Sequence, residues 1–211
     1  NNKNFFNFKL SNKKYFLKNN SNKLLVILRS SGYNAVPYDR YLEGKKELEF
    51  TLDFLKKIPD NMTSDVIIRA HSGSKGKLKM YNDTFHRFEI DYGDKNYFKS
   101  INNSKIIFFN HDSTGLLEIL GCNKPTICAW PNFSNHLNKN IEEDYKYLIE
   151  GKILFQDNDD LLKHLNQFWQ NPEKWWLNEH TQNCIKKFIN LYSKKPEKNY
   201  LKDLKKTIIN S

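Results

Sequence analysis

A doubly wound α/β fold, with a mostly parallel sheet followed by C-terminal helices, is the fold class that this sequence predicts. Short apolar runs alternate along the chain with segments in which apolar residues recur at helical spacing. Such runs are typical of strands buried on both faces, and parallel neighbours require crossover connections that are usually helical. The sequence has neither an internal repeat nor a heptad seam, so repeat and coiled-coil folds are not indicated.

The apolar runs predict strands at residues 23–31, 64–73, 87–91, 105–110, 125–130 and 152–155. The first run, KLLVILRSS, passes into a polar loop at Ser30, Ser31 and Gly32. The second, SDVIIRAHSG, ends in a polar loop that carries Arg69 and His71. Because the carboxyl ends of parallel strands meet at one edge of a sheet, we expect both loops to face the same crevice.

Helices are predicted at residues 41–59, 97–101, 113–120, 159–170, 172–192 and 197–209. In the first of them, Leu48, Leu52 and Leu55 recur near helical spacing, and Pro59 ends the pattern. The last segments are rich in Trp and Lys, which suits helices that pack on the edge of a domain. Alternation of strands and helices predicts helices on both faces of the sheet.

The two ends of the chain differ in composition from its middle. Residues 1–22 are polar and rich in Asn and Lys, and they predict a tail or linker that arrives from a preceding domain. We expect one domain over residues 23–192 and a C-terminal helix or tail over residues 193–211. Because the first residue is Asn and not Met, we interpret the chain as a fragment whose N-terminal domain is missing.

The formal net charge of +10 favours anionic partners such as phosphate groups, nucleic acid or an acidic membrane surface. The lysines are scattered, however, and part of the basic character follows from residues that A/T-rich codons encode. Three cysteines lack metal-ligand spacing, and the sequence shows neither a membrane-spanning run nor a signal peptide. We therefore expect a cytoplasmic protein without a metal site or a disulfide framework.

Residues 108–130, FFNHDSTGLLEILGCNKPTICAW, place a polar cluster between a predicted strand and a predicted helix. Ligands of open parallel sheets bind where such loops enter helices. The N–H groups at a helix start hold phosphate, the hydroxyls of Ser113 and Thr114 can add hydrogen bonds, and Gly115 allows close backbone approach. The sequence therefore predicts a phosphate site here. The alternative is an ordinary N-cap at Asp112, Ser113 or Thr114.

Glu118 and His111 are the candidate polar neighbours of this phosphate site. Glu118 follows in the next turn among apolar residues, and a carboxylate there can accept both hydroxyls of a ribose. The alternative is a capping box in which Gly115 is the N-cap and Glu118 returns to its N–H group. His111 can orient the phosphate or assist the leaving group, although a histidine at a strand end is also a common structural residue.

Other strand ends and aromatic residues give further candidates. Arg69 offers a planar bidentate donor for phosphate, with a solvated loop arginine as the alternative. Ser31 and Gly32 are candidate binding residues after the first strand. Trp175 and Trp176 can stack on a sugar, but core packing of a terminal helix is the favoured interpretation. The sequence lacks the P-loop, dinucleotide and nucleophile-elbow motifs, so those enzyme classes are not indicated.

The order of these features resembles the donor-binding C-terminal domain of GT-B glycosyltransferases. The shared pattern is a strand, then His-x-Ser-Thr-Gly, then a helix with Glu118, then a strand begun by Pro125. More narrowly, VIIR, STGLLEILGCNKPTICAW and GKILFQDNDDLLKHLNQFWQNPEKWW look like a family of bacterial surface-polysaccharide transferases. YDRYLEGKKELEFTLDFL resembles the first helix of that family. The resemblance covers about residues 24–192.

The resemblance implies a Rossmann-like GT-B half that binds a nucleotide-sugar donor as substrate, with no metal and no cofactor, for transfer of the sugar to a bacterial surface glycan. Residues 113–115 would hold the donor phosphate, and Glu118 would bind ribose or sugar hydroxyls. Arg69 and His111 would face the developing negative charge. The glycan acceptor would bind the missing N-terminal domain, so the fragment alone is expected to be inactive.

Donor and setting follow from the same resemblance. A CMP-linked acidic sugar is the preferred donor over a UDP- or GDP-sugar, and peripheral association at the inner membrane fits transfer to a surface glycan. Two other classes stay open at this stage. One is a basic nucleic-acid-binding module, which the scattered lysines do not favour, so nucleic acid is not an expected partner. The other is a non-catalytic interaction domain of the same fold.

Overall fold

The computed structural model describes residues 21–28, 41–71, 82–131 and 139–193, together with 205–206 and 209. The strands within them are β1 Leu24–Ile27, β2 Val66–Arg69, β3 Glu89–Asp91, β4 Ile106–Phe109, β5 Thr126–Ala129 and β6 Leu154–Phe155. They form a six-stranded sheet in the order β3-β2-β1-β4-β5-β6, and every pairing is parallel. Each strand lies within a predicted apolar run, and the predicted α/β fold class is confirmed.

Helices connect the strands and complete the described part of the chain. They are α1 Tyr41–Lys57, α2 Asp60–Thr63, α3 Asn82–Phe85, α4 Tyr97–Asn102, α5 Thr114–Gly121, α6 Lys139–Glu150, α7 Asn158–Phe168, α8 Glu173–Trp176 and α9 Glu179–Tyr192. Helices α1, α4, α5 and α7 occupy predicted segments. Helix α6 and the short helices α2 and α3 were not predicted.

The helices cover both faces of the sheet. Strand order runs in one direction from β1 to β3 and in the other from β4 to β6, so right-handed crossovers carry the two sets of connections on opposite faces. Helix α9 packs against α5 and α6, whereas α7 packs against α1. The sheet is therefore doubly wound, as predicted.

The strand register aligns the edge of the sheet at which the loops open. Ile27 at the end of β1 pairs with Arg69 of β2 on one side and with Phe109 of β4 on the other. Strands β4 and β5 are buried along their whole length, and Phe108 stacks on Phe54 of α1 with ring centroids 5.0 Å apart. A rigid core thus holds the ends of β1, β2 and β4 level with each other.

Two helices divide the segment that was predicted as one helix over residues 172–192, so that prediction is wrong at the break. Helix α8 ends at Trp176, and Leu177 and Asn178 separate it from α9. The side chain of Asn178 accepts a hydrogen bond from the backbone N–H of His180. An Asn in this position competes for the backbone and starts a new helix as its N-cap.

Trp175 and Trp176 pack in the core. They are 4% and 0% exposed. The indole N–H of Trp175 donates to the carbonyl of Gly151 at 3.0 Å, and that of Trp176 donates to the carbonyl of Asn123 at 3.1 Å. Both polar groups are satisfied within the protein, so the favoured interpretation of this pair is confirmed.

The predicted ends of the chain lie largely outside the described residues. The tail predicted over residues 1–22 is described only at Ser21 and Asn22, and the helix predicted over residues 197–209 only at 205–206 and 209. The division into tail, domain and terminal helix therefore stays a prediction. Among the described helices, none combines the length and apolar character that a membrane crossing needs. None of the three cysteines forms a disulfide.

Candidate functional site

The strand order places a topological switch point between β1 and β4. At such a point the adjacent connections leave toward opposite faces and open a crevice, where α/β sheets bind their ligands. On the β4 side the crevice begins with Asn110 and His111. On the β1 side the chain continues into residues 29–40, which lie outside the described residues and include the predicted binding residues Ser31 and Gly32.

Helix α5 begins at this crevice with Ser113 as its N-cap. The backbone of Ser113 is extended, and its Oγ accepts a hydrogen bond from the N–H of Leu116 at 3.4 Å. The N-cap alternative is therefore confirmed for Ser113. The capping box built on Gly115 and Glu118 is wrong, because the third residue after the cap is Leu116. Thr114 and Gly115 open the helix, where N–H groups have no acceptor within the helix.

Gly115 stands where a side chain would crowd the start of α5. A Cβ at this position would lie 3.2 Å from the hydroxyl oxygen of Tyr97, 3.4 Å from Cε1 of Phe109 and 3.5 Å from Oγ of Ser113. Tyr97 is the first residue of α4, and the fold brings its hydroxyl to the first turn of α5. Tyr97 was not predicted as a site residue, because no pattern in the connection from β3 to β4 indicates that its side chain will lie beside Gly115.

A chain of hydrogen bonds joins His111 to helix α1. Oδ1 of Asn110 lies 2.9 Å from Nδ1 of His111, and Nδ2 of Asn110 donates to Oγ1 of Thr51 at 3.2 Å. The Thr51 hydroxyl donates in turn to the backbone carbonyl of Glu47 at 2.7 Å. Asn110, Thr51 and Glu47 are all buried. The loop after β4 is thus tied to a helix on the face opposite to α5.

Arg69 ends β2, and its side chain is engaged by other groups of the protein. It forms a salt bridge with Asp91, which the pairing of β2 with β3 places directly beside it. The guanidinium also donates to the carbonyl of Lys95 at 3.0 Å and lies 5.5 Å from the ring centroid of Tyr97. Arg69 therefore reaches the start of α5 through Tyr97. Its direct contact with a ligand stays a prediction.

Comparison with known proteins supplies the family. Residues 3–208 match the sequence model described as LIC12162 family transferase. The chain belongs to this family. No curated protein matches the sequence. Since a transferase must hold the group that it transfers, the crevice at the β1–β4 switch point is the candidate active site of this LIC12162 family member.

Glu118 of this transferase lies one turn after Thr114 in α5, about 6 Å along the helix axis. Its side chain is partly buried, and this burial raises the pKa of the carboxyl group. A raised pKa reflects the cost of holding a charge away from water, which hydrogen bonds from ligand hydroxyls would reduce. Contact between Glu118 and a ligand stays a prediction.

Asp112, within the polar cluster, interacts with the β5 and α6 side of the molecule. Burial raises the pKa of Tyr145 in α6, and the nearby Asp112 carboxylate, to which the Tyr145 hydroxyl hydrogen-bonds, raises it further. Burial, followed by the charge of Asp112, also raises the pKa of the Cys128 thiol well above its usual value. Cys128 is therefore a neutral core thiol. In the described ranges, no cluster of His, Cys, Asp and Glu could hold a metal ion.

Proposed function

We propose that this chain is the donor-binding half of a GT-B glycosyltransferase and that it seats the phosphate of a nucleotide sugar at the start of α5. The observation that carries the proposal is the position of that helix start, directly after β4 at the switch point of the sheet. Membership of a transferase family supports the reaction class. The parallel six-stranded sheet supports a nucleotide as the bound group.

In the proposed complex, phosphate oxygens accept hydrogen bonds from the backbone N–H groups of Thr114 and Gly115. The partial positive charge of the helix start favours the anion. Ser113 uses an oxygen lone pair to cap Leu116, so its hydroxyl proton remains for donation to phosphate. The Thr114 side chain adds a second hydroxyl. Tyr97 is a further candidate donor, since its hydroxyl lies beside Gly115.

His111 is the proposed stabiliser of the leaving group. As the bond between sugar and phosphate breaks, negative charge collects on a phosphate oxygen, and an imidazole N–H can donate to that oxygen. Glu118 is proposed to accept hydrogen bonds from ribose or sugar hydroxyls. The base that takes the proton of the acceptor is assigned to an N-terminal domain, so turnover requires a longer enzyme.

A CMP-linked acidic sugar is the donor that we favour over a UDP- or GDP-sugar, with a bacterial surface glycan as acceptor. A single phosphate matches one helix start flanked by the hydroxyls of Ser113 and Thr114. The formal net charge of +10 suits an anionic donor. It also suits peripheral association with the acidic inner membrane from the cytoplasmic side, where nucleotide sugars would be available.

The test compares two glycine substitutions within α5. Gly115→Ala adds a methyl group 3.2 Å from the Tyr97 hydroxyl, beside the proposed phosphate, whereas Gly121→Ala adds one 3.1 Å from Oγ of Ser193 at the other end of the helix. Both changes gain similar helix propensity, so they form a matched pair. The unaltered chain and both variants are titrated calorimetrically with CMP, UDP and GDP.

We expect saturable binding to the unaltered chain and about tenfold weaker binding to Gly115→Ala, which corresponds to one lost charge-assisted hydrogen bond. Gly121→Ala should bind as the unaltered chain does. Unfolding midpoints of the three proteins control for changes in folding. Absence of binding by all three nucleotides, or an equal loss in both variants, would contradict the proposal.

A further inference from the structure

The carboxylate of Asp91, at the end of β3, organises the connection from β3 to α4. Its Oδ1 accepts hydrogen bonds from the backbone N–H of Gly93 at 3.0 Å and from that of Lys95 at 3.4 Å. Its Oδ2 accepts from Arg69, which the strand register places beside it, and from the hydroxyl of Ser100 at 3.5 Å. The Asp91 side chain is 1% exposed, so a buried charge holds this connection and α4 against the end of β2.

The Arg69 guanidinium extends this arrangement to Tyr97, the first residue of α4. Its Nη2 donates to the carbonyl of Lys95 at 3.0 Å, and its Cζ lies 5.5 Å from the centroid of the Tyr97 ring. The hydroxyl of Tyr97 reaches the first turn of α5, 3.2 Å from the place of a Cβ at Gly115. A continuous set of contacts therefore runs from the buried ion pair to the helix start at the β1–β4 crevice.

We propose that Arg69 and Asp91 are positioning residues, which hold Tyr97 against the first turn of α5 and so keep the N–H groups of that turn in place for an anion. For the identity of the anion, a nucleotide phosphate, the inference rests on the proposed function. For the link between the ion pair and α5 it rests on the contacts alone. A site whose groups are already in place loses less conformational entropy when it binds.

Arg87 offers a matched control at the other end of β3, just before that strand begins. It pairs with Asp60 at 2.7 Å, donates to the carbonyl of Ile58 at 3.4 Å and lies 5.7 Å from the ring centroid of Phe88. Replacing either arginine by lysine keeps the charge beside the carboxylate but removes the planar guanidinium that contacts the ring. Arg69→Lys should therefore affect the start of α5, whereas Arg87→Lys should not.

Amide hydrogen exchange, followed by NMR, measures the order of the first turn of α5 without a ligand. The N–H of Leu116 donates to Oγ of Ser113 at 3.4 Å and that of Leu117 to the Ser113 carbonyl at 3.3 Å, so these two amides report on that turn. We expect about threefold to tenfold faster exchange at both amides in Arg69→Lys, because a cation–ring contact is lost. The acceleration should exceed that of the α9 amides, since the opening is local. Arg87→Lys should leave both α5 amides unchanged.

Replacing the ring tests whether Tyr97 transmits the effect. Tyr97→Leu should accelerate the same two amides, and Arg69→Lys added to it should cause no further change. Arg69→Lys leaves the other contacts of Tyr97 in place, and Tyr97→Leu leaves the ion pair in place, so a folding defect in one variant does not prevent the test with the other. Unchanged exchange in either variant, equal acceleration in α5 and α9, or additive effects of the two changes would overturn the proposal.

Titration with CMP, UDP and GDP tests the link to the ligand. Arg69→Lys should bind about threefold to tenfold more weakly than the unaltered chain, and Arg87→Lys should bind as the unaltered chain does. In a Tyr97→Leu background, Arg69→Lys should cause no further loss. A further loss there would mean that Arg69 meets the ligand directly, and that result, or unchanged affinity in Arg69→Lys, would overturn the positioning role. If the unaltered chain binds no nucleotide, the proposed function fails while the exchange comparison still decides the link between the ion pair and α5.

Discussion

Acidification is expected to destabilise this protein through His164 of α7. The imidazole is 8% exposed and lies among three aromatic rings, with centroid distances of 5.1 Å to Phe155, 4.8 Å to Phe168 and 4.6 Å to Trp175. Its Nε2 has no hydrogen-bond partner within the part of the chain that the structure describes. Burial, followed by the charge of Lys152, lowers the pKa of His164 to about 4.

The folded state therefore keeps His164 neutral over a range in which the unfolded chain protonates it, since the ordinary pKa is 6.5. Unfolding takes up a proton in this range, so stability is lost as the pH falls from about 6.5 toward about 4. The shift from 6.5 to about 4, at about 1.4 kcal/mol per pKa unit, corresponds to about 3 kcal/mol at the acid limit. A loss of this size is a large fraction of the stability of a typical domain.

The assay compares urea unfolding at about pH 7 and about pH 4.5. His164→Phe keeps an aromatic ring in the site and removes the titrating group, so this variant should lose about 2 kcal/mol less on acidification than the unaltered chain. Carboxylates titrate alike in the two proteins. Equal losses in His164→Phe and the unaltered chain would refute the reasoning.

Two further predictions concern α5. Ser113→Ala should lower the free energy of unfolding by about 1 kcal/mol because it removes the N-cap. Thr114 is the exposed residue next to Ser113, and Thr114→Ala should leave the free energy of unfolding unchanged. Urea titration measures both values. Glu118→Gln keeps the shape and removes the charge, so nucleotide affinity should fall about tenfold to a hundredfold. The unfolding midpoint of Glu118→Gln should hardly change, because Glu118 is not the third residue after the N-cap Ser113 and so has no part in capping the helix. A lowered midpoint with unchanged affinity would count against the ligand role.

Strands β1, β4, β5 and β6 could be predicted from sequence because each is a short apolar run that the fold buries almost completely. Strand β4, with the sequence IIFF, is buried at every position. Its sequence is continuously apolar, without the alternation of apolar and polar residues that is typical of a strand with one face in solvent. Helix α6 escaped the same reasoning because charged residues dominate it and its fully buried positions are only Tyr145 and Leu148. Their helical spacing was the available signal. No short sequence pattern encodes the order of the strands in the sheet. The switch point between β1 and β4 could therefore be located only in the structure.

The candidate site was predictable only along one continuous segment. Residues 110–115 could be recognised in the sequence as a polar cluster between a predicted strand and a predicted helix. The N-cap role of Ser113 was one of the two expected roles of this cluster. Thr51 and Tyr97 reach the cluster from α1 and α4, and no residue pattern states which loop a distant helix will meet. The Arg69 salt bridge likewise depends on the pairing of β2 with β3, which sets Asp91 beside it.

That salt bridge bears on how the proposed site can hold an anion. The Arg69 and Asp91 side chains are 12% and 1% exposed. Drawing Arg69 to a phosphate would take the guanidinium from a buried carboxylate, which would keep hydrogen bonds from the N–H groups of Gly93 and Lys95. Removing one partner of a buried ion pair costs up to about 3 to 5 kcal/mol. A charge-assisted hydrogen bond from Arg69 to the phosphate would return only about 1.5 to 3 kcal/mol. In the proposed complex the anion is therefore held by the N–H groups of α5, by neighbouring hydroxyls and by His111. Arg69 contributes indirectly, through the Tyr97 ring that it contacts.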